Sequence, residues 1–364
     1  MRDGDTMIVR VIQVQISERA RFLPRFTGPQ PASARLQRRF SPVPHSPLHM
    51  EKNTFATSAY IAAPHQRIVD YLADLRNLDE WTLFSRMQRQ VDESTWVGTA
   101  SGYQRPLYYH VKRADYGFFH GIEWHCGFEQ GVYHQVYPVL VFPPGYINPA
   151  EQEPGAYLHW VSFVDPARRT PMIAEGMPAA HTAECRALKA VLERGAGRRC
   201  AASGRYVVRS ETIYVDAPVG VGADYLADVR SMAEYAFLLR PDGDVLPDQG
   251  SFLDEYGRRV TMRSRMRALG EASLVEHEAE YPDDGGFVQR SVTLLVPCSY
   301  AFGQPQARGF IKHRVVFWAA AESQPPGRRD IDELRAESVN VKRLLEARAG
   351  NLESFARGFS YLPT

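Results

Sequence analysis

The sequence predicts an α+β protein built from two similar domains in tandem. Its 364 residues give room for about two domains of roughly 150 residues each. Comparing the chain with itself reveals a duplication at a shift of 154 residues. Each copy has the order strand, helix, several strands and one long final helix, so the repeat describes a whole domain rather than a short solenoid unit.

The duplication is clearest where each copy begins. Residues 60–81 and 214–235 are identical at ten of twenty-two positions. The register continues to the final helices, where Lys189 aligns with Lys342 at a shift of 153. Two domains of one architecture therefore follow one another along the chain.

The elements of each copy can be predicted from periodicity and from their end signals. The first strand stops at a proline, which suits the first turn of a helix, and the final helix is followed by glycine near its C-cap. The predicted elements are strands at 58–63 and 211–216, helices at 65–75 and 219–229, β-rich segments at 133–142, 157–163, 288–296 and 310–317, and terminal helices at 178–194 and 331–348, followed by Gly197 and Gly350.

The first 49 residues differ from the rest of the chain. They carry eight arginines against three acidic residues, six prolines and little apolar periodicity, so we predict that residues 1–49 are disordered. A mis-assigned start, with Met50 as the true first residue, and a transit peptide are alternatives. The two domains are predicted at 50–200 and 205–364.

Composition excludes several classes of protein. The 43 basic and 42 acidic side chains nearly cancel, so no broad positive field favours nucleic acid. The sequence has no apolar run long enough to span a membrane, so no membrane insertion is expected. Four dispersed cysteines indicate neither a disulfide framework nor a metal knuckle, and we expect a cytoplasmic protein.

The opening motif of each copy resembles a known superfamily. In the first copy the motif consists of Ala63-Pro64, Val69, Asp70, Leu72, Asp74 and Trp81, and an amphipathic helix closes the domain. This pattern resembles the SRPBCC or helix-grip superfamily, which includes Bet v 1, START lipid-transfer domains and polyketide aromatase/cyclases. Two such domains in one chain resemble the didomain aromatase/cyclases of bacterial aromatic polyketide pathways.

The resemblance implies a fold and a chemistry. Each domain would be a curved antiparallel sheet wrapped around its long C-terminal helix, with an internal cavity. The cavity would bind a hydrophobic polyketide-type substrate, delivered by an acyl carrier protein, and promote cyclisation and dehydration without metal or organic cofactor. A non-catalytic carrier of a hydrophobic small molecule is the rival hypothesis.

His159 and its counterpart His313 are the principal candidate residues. Strand alternation separates His313 from Lys312 and Arg314, so we expect the charges to face outward and the histidine to face the cavity. The same phase directs Tyr157 and His159 into the first cavity. A buried imidazole suits general acid/base work, and a histidine that only bonds a neighbour is the structural alternative.

Further candidates lie mainly in the first copy, which we expect to be the catalytic one. His181 occupies a position on the apolar stripe of the terminal helix where the second copy has Leu334, so it is predicted to face His159 across the cavity, the alternative being a helix-end histidine that reaches solvent. The predicted catalytic residues are His159, His181 and Tyr109, and the predicted ligand-binding residues are Trp81, Trp124, Tyr137, Tyr157 and His313.

Two further interpretations concern a metal site and the acidic residues that the copies share. Trp124, His125 and Cys126 could join His159 and His181 around a metal, but their spacing matches no metal motif. Four acidic residues are retained in both copies and are expected to pair or cap. They are Glu184 with Glu337, and Asp74 with Asp228.

Overall fold

The computed structural model describes residues 54–100, 105–133, 135–147, 154–163, 176–194, 206–236, 239–254, 256–284, 287–303, 305, 307–319 and 331–350. The predicted extension at 1–49 and Gly197 lie outside these residues. None of the helices in the described ranges is long and apolar enough to cross a membrane.

The first domain runs from its first strand to a long terminal helix. Its elements are β1 (Thr54–Ile61), α1 (His65–Ala73), a 3-10 helix (Leu75–Asn77), α2 (Leu78–Trp81), β2 (Ser85–Gln90), β3 (Thr95–Ala100), β4 (Leu107–Asp115), β5 (His120–Gly127), β6 (Gln135–Phe142), α3 (Pro144–Ile147), β7 (Ala156–Phe163) and α4 (Met177–Leu192).

The second domain repeats this order. Its elements are β8 (Tyr206–Val215), α5 (Val219–Ala227), a 3-10 helix (Val229–Ser231), α6 (Met232–Tyr235), β9 (Arg240–Pro241), β10 (Gln249–Leu253), β11 (Arg259–Leu269), β12 (Ala272–Tyr281), a 3-10 helix (Pro282–Asp284), β13 (Phe287–Pro297), α7 (Cys298–Phe302), β14 (Phe310–Ala319) and α8 (Ile331–Arg348).

Each domain contains one seven-stranded sheet with the same topology. The strand orders are β1-β7-β6-β5-β4-β3-β2 and β8-β14-β13-β12-β11-β10-β9, and the neighbouring strands pair antiparallel. A long helix packs on one face of each sheet, with its main contacts on the first strand of the domain. The predicted α+β fold of two tandem domains is confirmed.

Residues shared by the two copies attach the terminal helix to the first strand. Lys189 donates to the carbonyl oxygen of Tyr60 and pairs with Glu193, and Lys342 makes the same contacts with Tyr214 and Glu346. The same two glutamates also accept backbone N–H groups just after the first strand. The residues that keep the duplication visible on the final helix are thus the ones that anchor it to the first strand.

The repeated aspartates cap helices, as expected. Asp74 accepts a hydrogen bond from the backbone N–H of Arg76 and pairs with its guanidinium, and Asp228 does the same with Arg230. Capping satisfies one of the N–H groups that a helix start leaves without a partner.

The two sheets pack against each other through the faces that do not carry the terminal helices. One core cluster contains buried side chains of both domains, such as Phe142 and Phe317, whose ring centroids lie 4.7 Å apart. Each domain also has a separate core between its sheet and its helices. Both faces of the central strands are therefore covered by protein, and both sheets belong to one compact unit.

The contacts between the sheets are reciprocal. The hydroxyl of Tyr146 donates to Glu276 at 2.8 Å, and its counterpart Tyr300 donates to Glu123 at 2.7 Å. Gly270, with φ of 58°, turns close to this contact, where a Cβ would lie 2.6 Å from an oxygen of Glu123. The arrangement is an internal version of an isologous dimer, in which one patch contacts its own copy.

The predicted orientation of β7 and β14 is wrong. Tyr157, His159 and His313 lie on the faces between the sheets, and Lys312 and Arg314 point toward the helix of the second domain, where they bond acidic residues. The prediction assumed that charges face solvent. Because no face of these strands is in water, the charges are buried with partners instead.

Candidate functional site

The two principal candidate histidines bind each other. The Nε2 atoms of His159 and His313 are 2.9 Å apart, and their rings are stacked with an interplanar angle of 22°. Ser58 Oγ lies 2.6 Å from Nδ1 of His159, and Thr212 Oγ1 lies 2.7 Å from Nδ1 of His313. The four side chains form one hydrogen-bonded chain across the interface between the sheets.

Burial favours neutral imidazoles in this chain of hydrogen bonds. Burial lowers the pKa of His159 to about 4, and burial together with the neighbouring His159 lowers the pKa of His313 well below its usual value. A neutral imidazole carries one N–H, so one Nε2 donates and the other accepts, and the hydroxyls complete the pattern at Nδ1. The pair fits the structural alternative, a buried histidine bonded to a neighbour, and neither ring lines a space beside a terminal helix.

The interior of the first domain, between its sheet and α4, is built around three tryptophans. The ring centroids of Trp81, Trp124 and Trp160 lie 5.5 to 5.8 Å from one another, and all three side chains are buried. The Nε1–H of Trp124 donates to the carbonyl oxygen of Leu72 at 3.0 Å. The indole Nε1 of Trp160 is buried with no hydrogen-bond partner in the part of the chain that the structure describes.

His181 lies beside this cluster. It is 2% exposed, its ring centroid lies 4.1 Å from that of Trp160, and its ring nitrogens lie 3.2 and 3.3 Å from the hydroxyl of Ser162. Burial lowers its pKa to about 4. The prediction of a buried position on the helix stripe is confirmed, but His181 does not face His159, which lies on the opposite side of β7.

Glu184 lies one helical turn after His181 and is 5% exposed. Its Oε1 accepts the backbone N–H of Leu83 at 2.8 Å. Burial raises the pKa of this carboxyl to about 7, although backbone N–H groups of Leu83 and Phe84 and the charge of Arg86 act in the other direction. The first interior therefore holds a carboxyl group that titrates close to neutral pH.

Two other predicted residues also lie in the first interior. Tyr109 is buried and donates to Ser85 Oγ at 3.2 Å. Tyr137 packs against the same core and donates to Gln135 Oε1 at 2.8 Å, and the thiol of Cys126 donates to that oxygen at 3.1 Å. The structure thus brings Tyr109, Trp81, Trp124, Tyr137 and His181 into one interior, and their catalytic or ligand-binding roles stay predictions.

The proposed metal set is not brought together. His125 faces the other domain, where its Nε2 lies 3.2 Å from both Glu123 and Tyr300, whereas the neighbouring Cys126 points into the first interior. Among the described residues, no group of three or more His, Cys, Asp or Glu side chains is placed to hold a metal ion.

Ion pairs occupy the matching interior of the second domain. Lys312 bonds Glu211 and Ser338 and is 2% exposed, and Arg314 bonds Glu337 at 3.0 Å. Burial lowers the pKa of Lys312. A cavity of about 20 Å³ beside Arg314 has room for about one water molecule.

Aligning the two copies shows what the sequence prediction missed. Trp160 occupies the position of Arg314, and Glu184 occupies that of Glu337, so the first domain keeps the carboxylate and lacks its arginine. The repeat alone contained this signal. Giving Glu184 and Glu337 the same ordinary role hides this difference.

Comparison with family models decides where the chain belongs. A model described as a domain of unknown function (DUF8713) matches residues 50–201 and again residues 208–354. The chain belongs to the DUF8713 family. Each matched range contains one sheet and its terminal helix, so the chain carries two DUF8713 domains. The comparison with curated proteins returned no match.

Similar solved structures include three proteins that this chain covers over 99% of their length. The di-domain ARO/CYC StfQ from the steffimycin biosynthetic pathway is 12% identical to this chain, with a TM-score of 0.32. The match covers 81% of this chain and 99% of that chain. The di-domain ARO/CYC BexL from the BE-7585A biosynthetic pathway is 14% identical, with a TM-score of 0.30. The match covers 85% of this chain and 99% of that chain. DynU16, from the dynemicin biosynthetic locus, is 13% identical, with a TM-score of 0.27. The match covers 84% of this chain and 99% of that chain.

Proposed function

We propose that the first domain binds a hydrophobic small molecule of polyketide type between its sheet and α4 and acts on it as a cyclase-like enzyme. The second domain supports the first and does not turn over substrate. The observation that carries this proposal is the difference between the two interiors, because the first has three clustered tryptophans where the second has buried ion pairs beside its apolar core. Aromatic lining with few polar groups is typical of small-molecule sites.

The reaction class comes from the resemblance of the opening motif to that of polyketide aromatase/cyclases. The first interior supplies the types of group that such chemistry uses, namely a carboxyl, an imidazole and a phenol in a water-poor setting. An acyl carrier protein as substrate donor and a cytoplasmic setting are parts of the same proposal.

A non-catalytic carrier is the second candidate. It is favoured by the position of His159, because the strongest predicted acid/base group lies outside the first interior. The two candidates share the binding site and differ in whether the polar side chains change the ligand.

Binding can be tested on the full chain with 1-anilinonaphthalene-8-sulfonate as the probe. We expect one bound probe per chain, quenching of tryptophan fluorescence, and about tenfold weaker binding in Trp124→Leu, since tryptophan provides a large contact surface. His277→Leu is the matched control, because His277 makes the equivalent bond to the carbonyl oxygen of Leu226 in the second domain. Equal loss of binding in both variants, or two probes per chain, would contradict the assignment to the first domain.

A further inference from the structure

The buried indole N–H of Trp160 is the most informative unexplained group in the described residues. Trp160 is 5% exposed, and its Nε1 has no hydrogen-bond partner there. Leaving a buried donor without a partner costs free energy, so such a group in a native protein calls for an explanation. In the second domain the same position carries Arg314, whose guanidinium bonds Glu337.

Glu184 is the second half of the same change. Its counterpart Glu337 pairs with the guanidinium of Arg314. Glu184 instead accepts the backbone N–H of Leu83, and a tryptophan occupies the position of that arginine. The substitution thus leaves a buried donor on Trp160 and a buried carboxyl on Glu184 without the arginine of the second domain. Both point to a ligand that accepts a hydrogen bond and exchanges a proton.

We propose that Trp160 donates its indole N–H to an oxygen of the bound molecule and that Glu184 exchanges a proton with a carbon of that molecule. This assignment rests on the proposed function of the first domain. It specifies a ligand with a carbonyl oxygen and an acidic C–H bond next to the carbonyl group.

The proposed step balances without any other reactant. The carboxylate of Glu184 takes the proton, the C–H electron pair becomes the enolate π bond, and the carbonyl oxygen gains the negative charge. The N–H of Trp160 then stabilises that charge more strongly than it stabilises the neutral carbonyl. The protonated Glu184 returns its proton when the enolate carbon or oxygen is quenched.

The other titratable groups are less suited to this role. His159 lies on the far side of β7, bonded to His313. His181 is bonded to Ser162, and burial lowers the pKa of its imidazole to about 4, so the ring is neutral at neutral pH. Arg86 is the charged group that acts on Glu184 from outside its own helix. With a pKa of about 7, Glu184 is present in both protonation states near neutral pH.

The test uses the full chain and 5-nitrobenzisoxazole, a flat aromatic probe that reports a single proton abstraction. A carboxylate removes its ring C–H proton, the electron pair forms a nitrile, and the N–O bond breaks to release a coloured phenolate. We expect the rate to rise with pH through about 7, because only the ionised form of Glu184 is a base.

Three variants separate the roles. Glu184→Gln should lower the rate at least about a hundredfold, the size of a general-base contribution. Trp160→Phe should lower it about tenfold, because the departing oxygen loses one hydrogen bond. Trp160→Arg rebuilds the pairing of the second domain, and it should shift the midpoint of the pH profile to lower pH. Asp70→Asn, at an exposed carboxylate, is the control that should keep the wild-type rate.

Quenching of tryptophan fluorescence by the probe is measured in the same samples, so that binding and proton transfer are read separately. Retained quenching with lost elimination in Glu184→Gln supports the assignment. Full elimination in Glu184→Gln overturns it and leaves the proposed binding function standing. No quenching and no elimination by the wild-type chain overturns both.

Discussion

The two domains have the same fold, but their interiors differ at particular positions. At equivalent positions of the first and last strands and the terminal helix, the second domain has Glu211, Lys312 and Ser338 in a hydrogen-bonded ionic cluster. The first domain has Thr57, Leu158 and Cys185 at these positions. The architecture therefore does not require the ions, and what fills the space between sheet and helix can change while the sheet and its anchors are kept.

This difference is the basis for proposing a binding role for the first domain and a structural role for the second. A buried ion pair strongly destabilises the protein when one partner is removed, whereas aromatic side chains offer surface that a hydrophobic ligand can contact. Tyr235 and His277 replace two of the three tryptophans in the second domain, and Arg314 replaces the third. Among the described residues, the first domain thus combines three clustered tryptophans with a neutral histidine, His181, bonded to the hydroxyl of Ser162.

The largest effect is expected from breaking the ionic cluster of the second domain. Lys312→Leu introduces the residue found in the first domain and leaves the carboxylate of Glu211 buried without its cation. Removing one partner of a buried pair costs about 3 to 5 kcal/mol of unfolding free energy. Urea unfolding of the full chain at neutral pH measures this loss.

The control replaces all three residues of the cluster by their counterparts in the first domain. In the chain with Glu211→Thr, Lys312→Leu and Ser338→Cys together, no buried charge is left unpaired, and the unfolding free energy should equal or exceed that of the wild type, since neutral replacements of buried ion pairs are often stabilising by about 1 to 4 kcal/mol. A triple variant as unstable as the single one would show that the cluster is not interchangeable.

The interface between the sheets, where the domains are alike, should give the next largest effect. The pKa of His159 is about 4 in the folded chain, below the ordinary value of 6.5, so the unfolded chain binds more protons between these values. The stability due to this neutral ring is complete above pH 6.5 and is lost as the pH falls through 4. The shift corresponds to about 3 kcal/mol.

Replacing both rings tests this assignment. In the double variant His159→Phe and His313→Phe, a stacked aromatic pair replaces the imidazoles, and the difference in unfolding free energy between neutral and acidic solution should shrink by at least about 3 kcal/mol. An unchanged acid dependence would mean that other groups, such as His277, dominate it. The pKa of His277 is also lowered to about 4 by burial.

Much of the fold could be predicted from the sequence because the duplication and the helical periodicity are local signals. The terminal helices are predicted at 178–194 and 331–348 and are found at Met177–Leu192 and Ile331–Arg348. The repeated Asp-x-Arg motif is correctly predicted to pair or cap. Such features depend on neighbouring residues and not on how the sheets pack.

The orientation of β7 could not be obtained in the same way. Alternation divides a strand into two sets of side chains but does not say which set faces the helix, and the prediction used Lys312 and Arg314 to choose. In β7 itself all eight residues from Ala156 to Phe163 are buried. A strand with no polar face indicates burial on both sides, and this signal was present in the sequence.

The smallest effect concerns the helix caps, which the two domains share. Asp74→Ala and Asp228→Ala each remove a side chain that accepts the N–H two residues later and pairs with an exposed arginine. Each should lower the unfolding free energy by about 1 kcal/mol, because the cap contributes most and exposed ion pairs add little. Since the contacts are the same in both domains, urea unfolding should give equal losses, and the double variant should show their sum. A clear inequality would show that the two helices differ in how strongly the rest of each domain holds them.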